Sequence, residues 1–303
     1  MQYHVDGDLV PASEATVSVR DRGFMYGDAA FETMRAYGGT VFAWDAHADR
    51  LERTVKTLGF VDALPSREDL HDRVVTTLDG NDLDDAYVKL SISRGVQPGK
   101  LTPGEAVDPT VVVQVDSLPR GGVEGESVWD DYATLQSVKT RRVPDEAIPA
   151  DAKTHNYLNG ILARLELRRA ATDDFQADEA LMRDTEGHVA EGATSNVFFV
   201  DNGVLKTPSR EQSILPGVTR SIVIQLAQEE DFQVREGRYT VEDVRNADEA
   251  FLTNSTWEIR PVETVDGLAV DGDGDGVEGP LTTLISRLFD RRVEERYYDG
   301  ERL

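Results

Sequence analysis

The chain has 303 residues, enough for two domains of ordinary size that can each bury a core. Its 32 Lys and Arg against 57 Asp and Glu leave a formal charge of −25 and a pI near 4.5, which argues against nucleic acid and anionic membrane as partners. No cysteine is present, so disulfides, thiol nucleophiles and thiolate metal sites are excluded.

The acidic excess is spread along the chain instead of being gathered in a tail, a solvation strategy that suits high salt. The opening Met-Gln-Tyr-His-Val-Asp-Gly has neither the basic flank nor the apolar core of a leader, and no run approaches a membrane span. A soluble, cytoplasmic protein of a salt-loving cell is expected.

Short strands are expected at 2–5 and 17–20, with a turn at Asp6-Gly7. Two apolar-rich runs, 30–37 and 40–44, are joined by Gly38-Gly39, a hairpin signal. Asp45 then caps a helix through Leu58, and the capping box Ser66-Arg-Glu-Asp69 opens another that stops at Asp79-Gly80. Strands follow at 87–93, alternating by residue, and 110–115, continuously apolar as in a buried strand. Residues 118–126 are rich in glycine and charge and lack periodicity, which marks a linker between a domain over 1–117 and another over 127–303.

The second part opens with a strand near 132–138. The apolar run Tyr157, Leu158, Ile161, Leu162, Leu165 marks an amphipathic helix reaching about Ala171. Strands at 179–183 and 188–190 flank Thr185-Glu-Gly187, and 196–200 pairs with 204–207 across Asp201-Asn-Gly203. A helix runs from Pro216-Gly217 to about Glu230, strands are expected at 232–234 and 250–253, and a last helix spans about 281–297.

Lys153 stands just before the amphipathic run, where a strand-to-helix junction would turn its amine toward a cleft. Burial and neighbouring charge lower the pKa of such an amine and make it nucleophilic, as a Schiff base requires. A lone lysine at a helix start is more often solvated, so its companions decide. Lys153-Thr-His-Asn-Tyr-Leu, Glu191-Gly-x-x-Ser-Asn-Val-Phe, Leu215-Pro-Gly-Val-Thr-Arg220 and Phe251-Leu-Thr-Asn-Ser255 occur in that order. Together they resemble the class IV aminotransferases, the fold-type IV pyridoxal-phosphate enzymes that include branched-chain and D-amino-acid aminotransferases and 4-amino-4-deoxychorismate lyases. The resemblance runs from about Val5 to Gly267.

It implies a two-domain α+β fold, like that of the D-amino-acid aminotransferases, with a small N-terminal α/β domain and a larger C-terminal domain that binds the cofactor. It implies pyridoxal 5'-phosphate as cofactor and Lys153 as the catalytic lysine. Glu191 would face the pyridine nitrogen and keep it protonated, with Ser195 and Asn196 in the same motif. Gly217, Val218 and Thr219 would open a helix whose N–H groups and dipole hold the phosphate. Ser255 resembles the second hydroxyl contact and Arg50 the phosphate arginine, although Arg50 alone reads as a helix-surface arginine. Tyr157 matches a tyrosine near the cofactor's phenolic oxygen, with core packing as the competing reading.

For the substrate carboxylate the candidates are Tyr26, Lys89 and Arg94, and the resemblance adds Phe31 and Thr256 to the substrate contacts. Lys89 could instead be an edge-strand lysine in water. Tyr26 and Trp257-Glu-Ile-x-Pro-Val262 look like the transaminases, whereas Lys89-Leu-Ser-Ile-Ser-Arg-Gly95 and Thr253-Asn-Ser255 look more like the lyases. The expected activity is transfer of an amino group between an amino acid, branched-chain type favoured, and a 2-oxo acid. The alternative is 4-amino-4-deoxychorismate cleavage to pyruvate and 4-aminobenzoate. Family members are usually homodimers, so a homodimer is expected.

Asp271-Gly-Asp-Gly-Asp-Gly276 begins like a calcium loop, but its twelfth position is Thr282 instead of a bidentate Glu, so it reads as an acidic surface loop. A non-catalytic calcium-binding protein is therefore a remote alternative. The histidines lack metal-ligand spacing, and neither glycine-rich nucleotide motif is present; no metal site is expected.

Overall fold

The computed structural model describes residues 1–121, 129–172, 175–270 and 279–298. Part of the expected linker, 122–126, and the acidic loop 271–276 lie outside the described residues. The chain divides into two compact units. One holds Met1–Arg120, Ala152–Asn156 and the segment that starts at Arg296; the other holds Gly121–Asp151 and Tyr157–Glu295.

The first unit is built on a six-stranded sheet in the order β2-β1-β6-β5-β3-β4. Its strands are β1 (Gln2–Val5), β2 (Asp8–Pro11), β3 (Ala29–Tyr37), β4 (Thr40–Val41), β5 (Ala86–Ser93) and β6 (Thr110–Ser117), all antiparallel to their neighbours. Helices α1 (Arg22–Tyr26), α2 (Trp44–Leu58) and α3 (Arg67–Asp79) complete it. Alternate strand residues Met34, Val88, Leu90, Val113 and Val115 form one core with Leu51 and Val55 of α2 and Val74 and Leu78 of α3.

The two-residue turns Asp6-Gly7 and Gly38-Gly39 have positive φ throughout, the geometry that matches the twist of a hairpin. The first turn pairs 2–5 with 8–11, so the partner strand lies earlier than expected, and 17–20 form no strand. Val19 there is 73 % exposed and has no face to bury. Asp45 is not the cap of α2 but stands in its first turn; the cap position is Ala43, left-handed at φ 50 and without a side-chain bond. Ser66 does cap α3, its hydroxyl accepting from the Asp69 N–H at 3.1 Å. β6 is buried on one face only: Val111, Val113 and Val115 are buried, and the residues between them are not.

The second unit carries a nine-stranded sheet in the order β12-β11-β10-β13-β14-β7-β8-β9, with β15 paired to β14. The strands are β7 (Ala133–Arg141), β8 (Glu179–Arg183), β9 (Val189–Gly192), β10 (Asn196–Asp201), β11 (Val204–Pro208), β12 (Val234–Gly237), β13 (Glu249–Asn254), β14 (Glu258–Val265) and β15 (Leu268–Ala269). Its helices are α4 (Leu158–Ala170), α5 (Val218–Glu229), α6 (Val241–Arg245) and α7 (Pro280–Val293). β14, which no sequence signal suggested, contains Pro261 and pairs antiparallel with β13 and parallel with β7.

On α4 the apolar run points the wrong way for a core. Leu158, Ile161 and Leu162 are 59, 53 and 46 % exposed, while the buried positions are Gly160, Ala163 and Leu167. Small residues let the helix lie close to the sheet: Ala163 and Leu167 pack with Val138, Ala180 and Met182, and a Cβ on Gly160 would come within 3.2 Å of the Ala193 carbonyl oxygen. Close approach selected the small face over the large one.

Candidate active site

Lys153 is seated in the first unit by its backbone. Its N–H donates to Thr54 Oγ1 at 3.0 Å and its carbonyl accepts from the Phe31 N–H at 3.0 Å. Thr154 forms an isolated bridge with Ala30, and the His155 N–H donates to the Ala29 carbonyl at 2.9 Å. The segment thus lies against β3 as an extra antiparallel rung. Lys153 Nζ sits 4.4 Å from the Phe31 ring centroid, Lys89 Nζ lies 5.3 Å from the same centroid, and His155 meets that ring edge-on at 5.4 Å. Lys89 is on β5, a central strand, so it is no edge-strand lysine. Burial, then the charge of Lys153, pushes its ammonium below its ordinary pKa. Burial, then the charge of Lys89, brings His155 down to about 4.

Arg50 lies one turn before Thr54 on α2 and is 3 % exposed, not a surface arginine. Its Nε donates to Glu32 Oε1 at 2.8 Å and its Nη2 to Glu32 Oε2 at 2.6 Å, while His47 Nδ1 stands 2.7 Å from that second oxygen. Burial alone would raise the Glu32 pKa; the charge and hydrogen bonds of Arg50, with those of His47, more than offset it and hold the carboxyl at about 2. Neither Glu32 nor His47 was singled out from the sequence, although His47 and Arg50 stand three apart on one helix face.

Two of the substrate candidates fare differently. Tyr26, last residue of α1, is 40 % exposed, with the Arg22 guanidinium 5.0 Å from its ring centroid. Arg94 is buried, bonded to both oxygens of Asp28 at 2.8 and 3.2 Å and to the Leu58 carbonyl, and stacked on Phe60 at 4.8 Å. That guanidinium holds the fold together, and Arg94 is withdrawn as a substrate ligand.

In the second unit Glu191 is the last residue but one of β9 and is buried. Its Oε1 lies 3.0 Å from Arg142 Nε, and its Oε2 accepts from the Leu215 N–H at 2.9 Å and from Asn196 Nδ2 at 3.2 Å. Asn196 Nδ2 also donates to the Leu215 carbonyl at 3.0 Å. Gly217 is the N-cap of α5; a Cβ there would overlap Asn196 Oδ1, so only glycine brings the helix start this close to the Glu191 cluster. Val218 and Thr219, both buried, form the first turn.

Asn196 pairs directly with Thr253 across β10 and β13, and the buried Thr253 Oγ1 finds no hydrogen-bond partner among the described residues. A glycine-floored helix N-terminus, a buried hydroxyl awaiting a partner and a buried carboxylate are the donor and acceptor set that a phosphate and a pyridine nitrogen require. Ser255 and Thr256 form the half-buried turn after β13, where Asn254 Oδ1 accepts from Thr256 N and Oγ1 at 3.0 Å. Tyr157 is the half-buried residue before α4, and its carbonyl accepts from the Ile161 N–H.

Sequence reasoning also passed over Glu179, the first residue of β8. It is fully buried, and its carboxylate accepts from the N–H groups of Ala180, Ala193 and Thr194 and from the hydroxyls of Thr194 and Ser195. These bonds shape the turn that separates Glu191 from Asn196. Among the described residues no group of three or more His, Asp or Glu could hold a metal ion, and no helix is long and apolar enough to cross a membrane.

Comparison with known proteins gives these clusters a context. Residues 29–265 match the family model for amino-transferase class IV. A Methanocaldococcus jannaschii protein that carries the provisional name branched-chain-amino-acid aminotransferase is 40 % identical over 271 residues, covering 89 % of this chain and 90 % of its own length. A D-alanine aminotransferase of Listeria monocytogenes is 32 % identical over 302 residues, covering 97 % and 96 %. Among solved structures, the T.th. branched-chain amino acid aminotransferase complexed with N-(5'-phosphopyridoxyl)-L-glutamate superposes with a TM-score of 0.84 at 28 % identity, over 96 % of this chain and 93 % of that one. The chain belongs to the class IV aminotransferases, enzymes that depend on pyridoxal phosphate.

Proposed function

We propose that the protein exchanges an amino group between a branched-chain amino acid and a 2-oxo acid, using pyridoxal 5'-phosphate carried on Lys153. The observation that supports this best is the seating of Lys153, whose backbone is pinned to β3 and α2 while its amine rests 4.4 Å from the Phe31 ring centroid. An amine so placed has a fixed origin and a short reach, as a covalent anchor needs. Bound pyridoxal phosphate supplies an aldehyde carbon for an amine and a cationic ring that accepts the electron pair left at a substrate Cα.

Lys153 Nζ would be the amine that holds this aldehyde carbon, and with a substrate bound the same amine would act as the base for the Cα proton. The Glu191 carboxylate would keep a proton on the ring nitrogen, and Arg142, Leu215 N–H and Asn196 keep the carboxylate still. Gly217, Val218, Thr219 and Ser255 would donate to the phosphate, and Arg50 would be its counter-charge. Tyr157, Phe31, Tyr26, Lys89 and Thr256 are assigned to the cofactor's phenolic oxygen and to the substrate.

The branched-chain substrate follows the names of the M. jannaschii relative and of the T.th. structure. A D-amino acid is the second reading, favoured by the D-alanine aminotransferase that matches over 97 % of this chain. We also read the exposed Leu158, Ile161 and Leu162 stripe as a homodimer contact, and the charge of −25 as fitted to a salt-rich cytoplasm.

The test is the visible absorbance of the purified protein in high salt, before and after L-leucine or D-alanine is added without an oxo acid. Conversion of a yellow band to the pyridoxamine spectrum by L-leucine is expected. Conversion by D-alanine alone would select the second reading, and no conversion by either would turn attention to 4-amino-4-deoxychorismate cleavage. A Lys153→Ala protein that keeps the yellow band would refute the assignment of the lysine.

A further inference from the structure

We propose that Glu32 is a positioning residue for the cofactor phosphate, fixing the guanidinium of Arg50 in the one orientation in which it can take a phosphate monoester. The inference rests on the reading of Arg50 as the phosphate arginine.

A guanidinium is a planar fork of five N–H donors, so two hydrogen bonds along one edge set the plane and the direction of every other donor. Glu32 makes that edge contact, 2.8 Å to Nε and 2.6 Å to Nη2. Its own carboxylate cannot swing away: Glu32 is 1 % exposed, its backbone is paired with Leu90 of β5, and His47 Nδ1 engages Oε2 at 2.7 Å. The arginine is fixed from the backbone as well. Its carbonyl accepts from Thr54 Oγ1 at 3.0 Å, and the same hydroxyl accepts the Lys153 N–H. One turn of α2 thus ties Arg50 and Lys153 into a single rigid piece.

Stability alone does not account for this arrangement. A buried Glu, Arg and His are costly to desolvate, and apolar residues of similar size commonly stabilise a core as well or better. Neutralising the arginine would not need it either, because a single carboxylate contact in any orientation would do so. What the three groups add is direction. Direction matters for a planar fork that must meet a phosphate held elsewhere by hydrogen bonds.

The two accounts predict opposite signs for Glu32→Gln. If Glu32 only offsets charge, its removal leaves a more positive arginine, and pyridoxal phosphate binds more tightly. A positioning role predicts the reverse, because the Gln amide turns N–H against N–H and breaks the two-point contact.

The experiment titrates the apoprotein with pyridoxal phosphate and, separately, with unphosphorylated pyridoxal, for the wild type, Glu32→Gln, Arg50→Gln and the double variant. The expected result is a loss of about ten- to a hundredfold in affinity for pyridoxal phosphate in Glu32→Gln, with pyridoxal affinity little changed and the double variant no worse than Arg50→Gln. Unchanged pyridoxal phosphate binding in Arg50→Gln overturns the reading of Arg50 and the inference with it. Weakened binding in Arg50→Gln but equal or tighter binding in Glu32→Gln overturns the inference alone. Equal losses for both ligands in Glu32→Gln reduce Glu32 to a structural residue. If that variant does not fold, Glu32→Asp, which keeps the charge and withdraws the carboxylate by one methylene, should show the same phosphate-selective loss, and an equal loss for both ligands overturns the proposal.

Discussion

Glu179→Gln isolates one carboxylate's part in shaping the second unit. The side chain is fully buried and accepts six hydrogen bonds, three from backbone N–H groups, two from hydroxyls and one from Arg164 Nη1 at 3.5 Å. Glutamine keeps the shape but turns one acceptor into a donor. Its better orientation puts the amide oxygen at the Oε1 position, facing the Ala180 and Ala193 N–H groups at 2.8 and 3.2 Å. The amide nitrogen then faces the Thr194 N–H, which cannot reorient, while the two hydroxyls can rotate to accept. One buried N–H is orphaned and the charge-assisted bonds become neutral ones, a loss of about 2–4 kcal/mol. For a domain of this size each kcal/mol moves the melting temperature by about 2–4 °C, so a fall of roughly 5–15 °C is expected. Thermal unfolding of the apoprotein, followed by circular dichroism and checked by urea titration, reads it. A fall of less than about 2 °C would show that the 193–195 turn holds its shape without the carboxylate.

Gly217→Ala should weaken pyridoxal phosphate binding at least tenfold, because the new methyl overlaps Asn196 Oδ1 and displaces the side chain that bonds Glu191; titration of the apoprotein measures this. His155, brought from 6.5 to about 4, is favoured neutral by the fold, so its contribution is intact above pH 6.5 and is lost as pH falls from 6.5 to 4. Urea midpoints across that range should decline, and His155→Gln should flatten that part of the decline. Replacing Ile161 and Leu162 by Glu should halve the mass seen by light scattering if the α4 stripe joins two subunits; an unchanged mass would assign the stripe another role.

Much of the fold was legible because it is written in local signals. Positive-φ turns at Gly38-Gly39 and Asn202-Gly203 announced their hairpins, and Ser66 announced α3. The failures share a cause, which is that tertiary contact overrides the pattern. α4 reads as amphipathic on its large residues, yet it packs on Gly160 and Ala163 because close approach to β7 and β8 selects small side chains. β14 holds a proline and has no clean alternation, so only its neighbours identify it as a strand.

Among the candidate site residues, Lys153 and Glu191 were legible because each stands in a short contiguous motif. Arg94 misled because the sequence shows a cation and not its partner Asp28, which is remote along the chain. Glu32, His47, Arg142 and Glu179 were invisible for the complementary reason. Each acts by touching another residue that is remote in sequence, and one sequence read alone carries no record of such pairs.

The rung that Thr154 makes with Ala30 places a constraint on how the molecule is made. Synthesis delivers β3, β5 and β6 long before residues 152–156, and the segment from Arg296, whose Tyr297 hydroxyl accepts from the Ala43 N–H at 3.1 Å, comes later still. The unit that begins first is therefore among the last to be finished. While the ribosome is still at work, the seat for Lys153 exists as a half-formed sheet face without its closing piece. A nascent chain in that condition exposes Phe31 and the β3 edge to chance partners, and this is the interval in which a chaperone or slow translation would matter most.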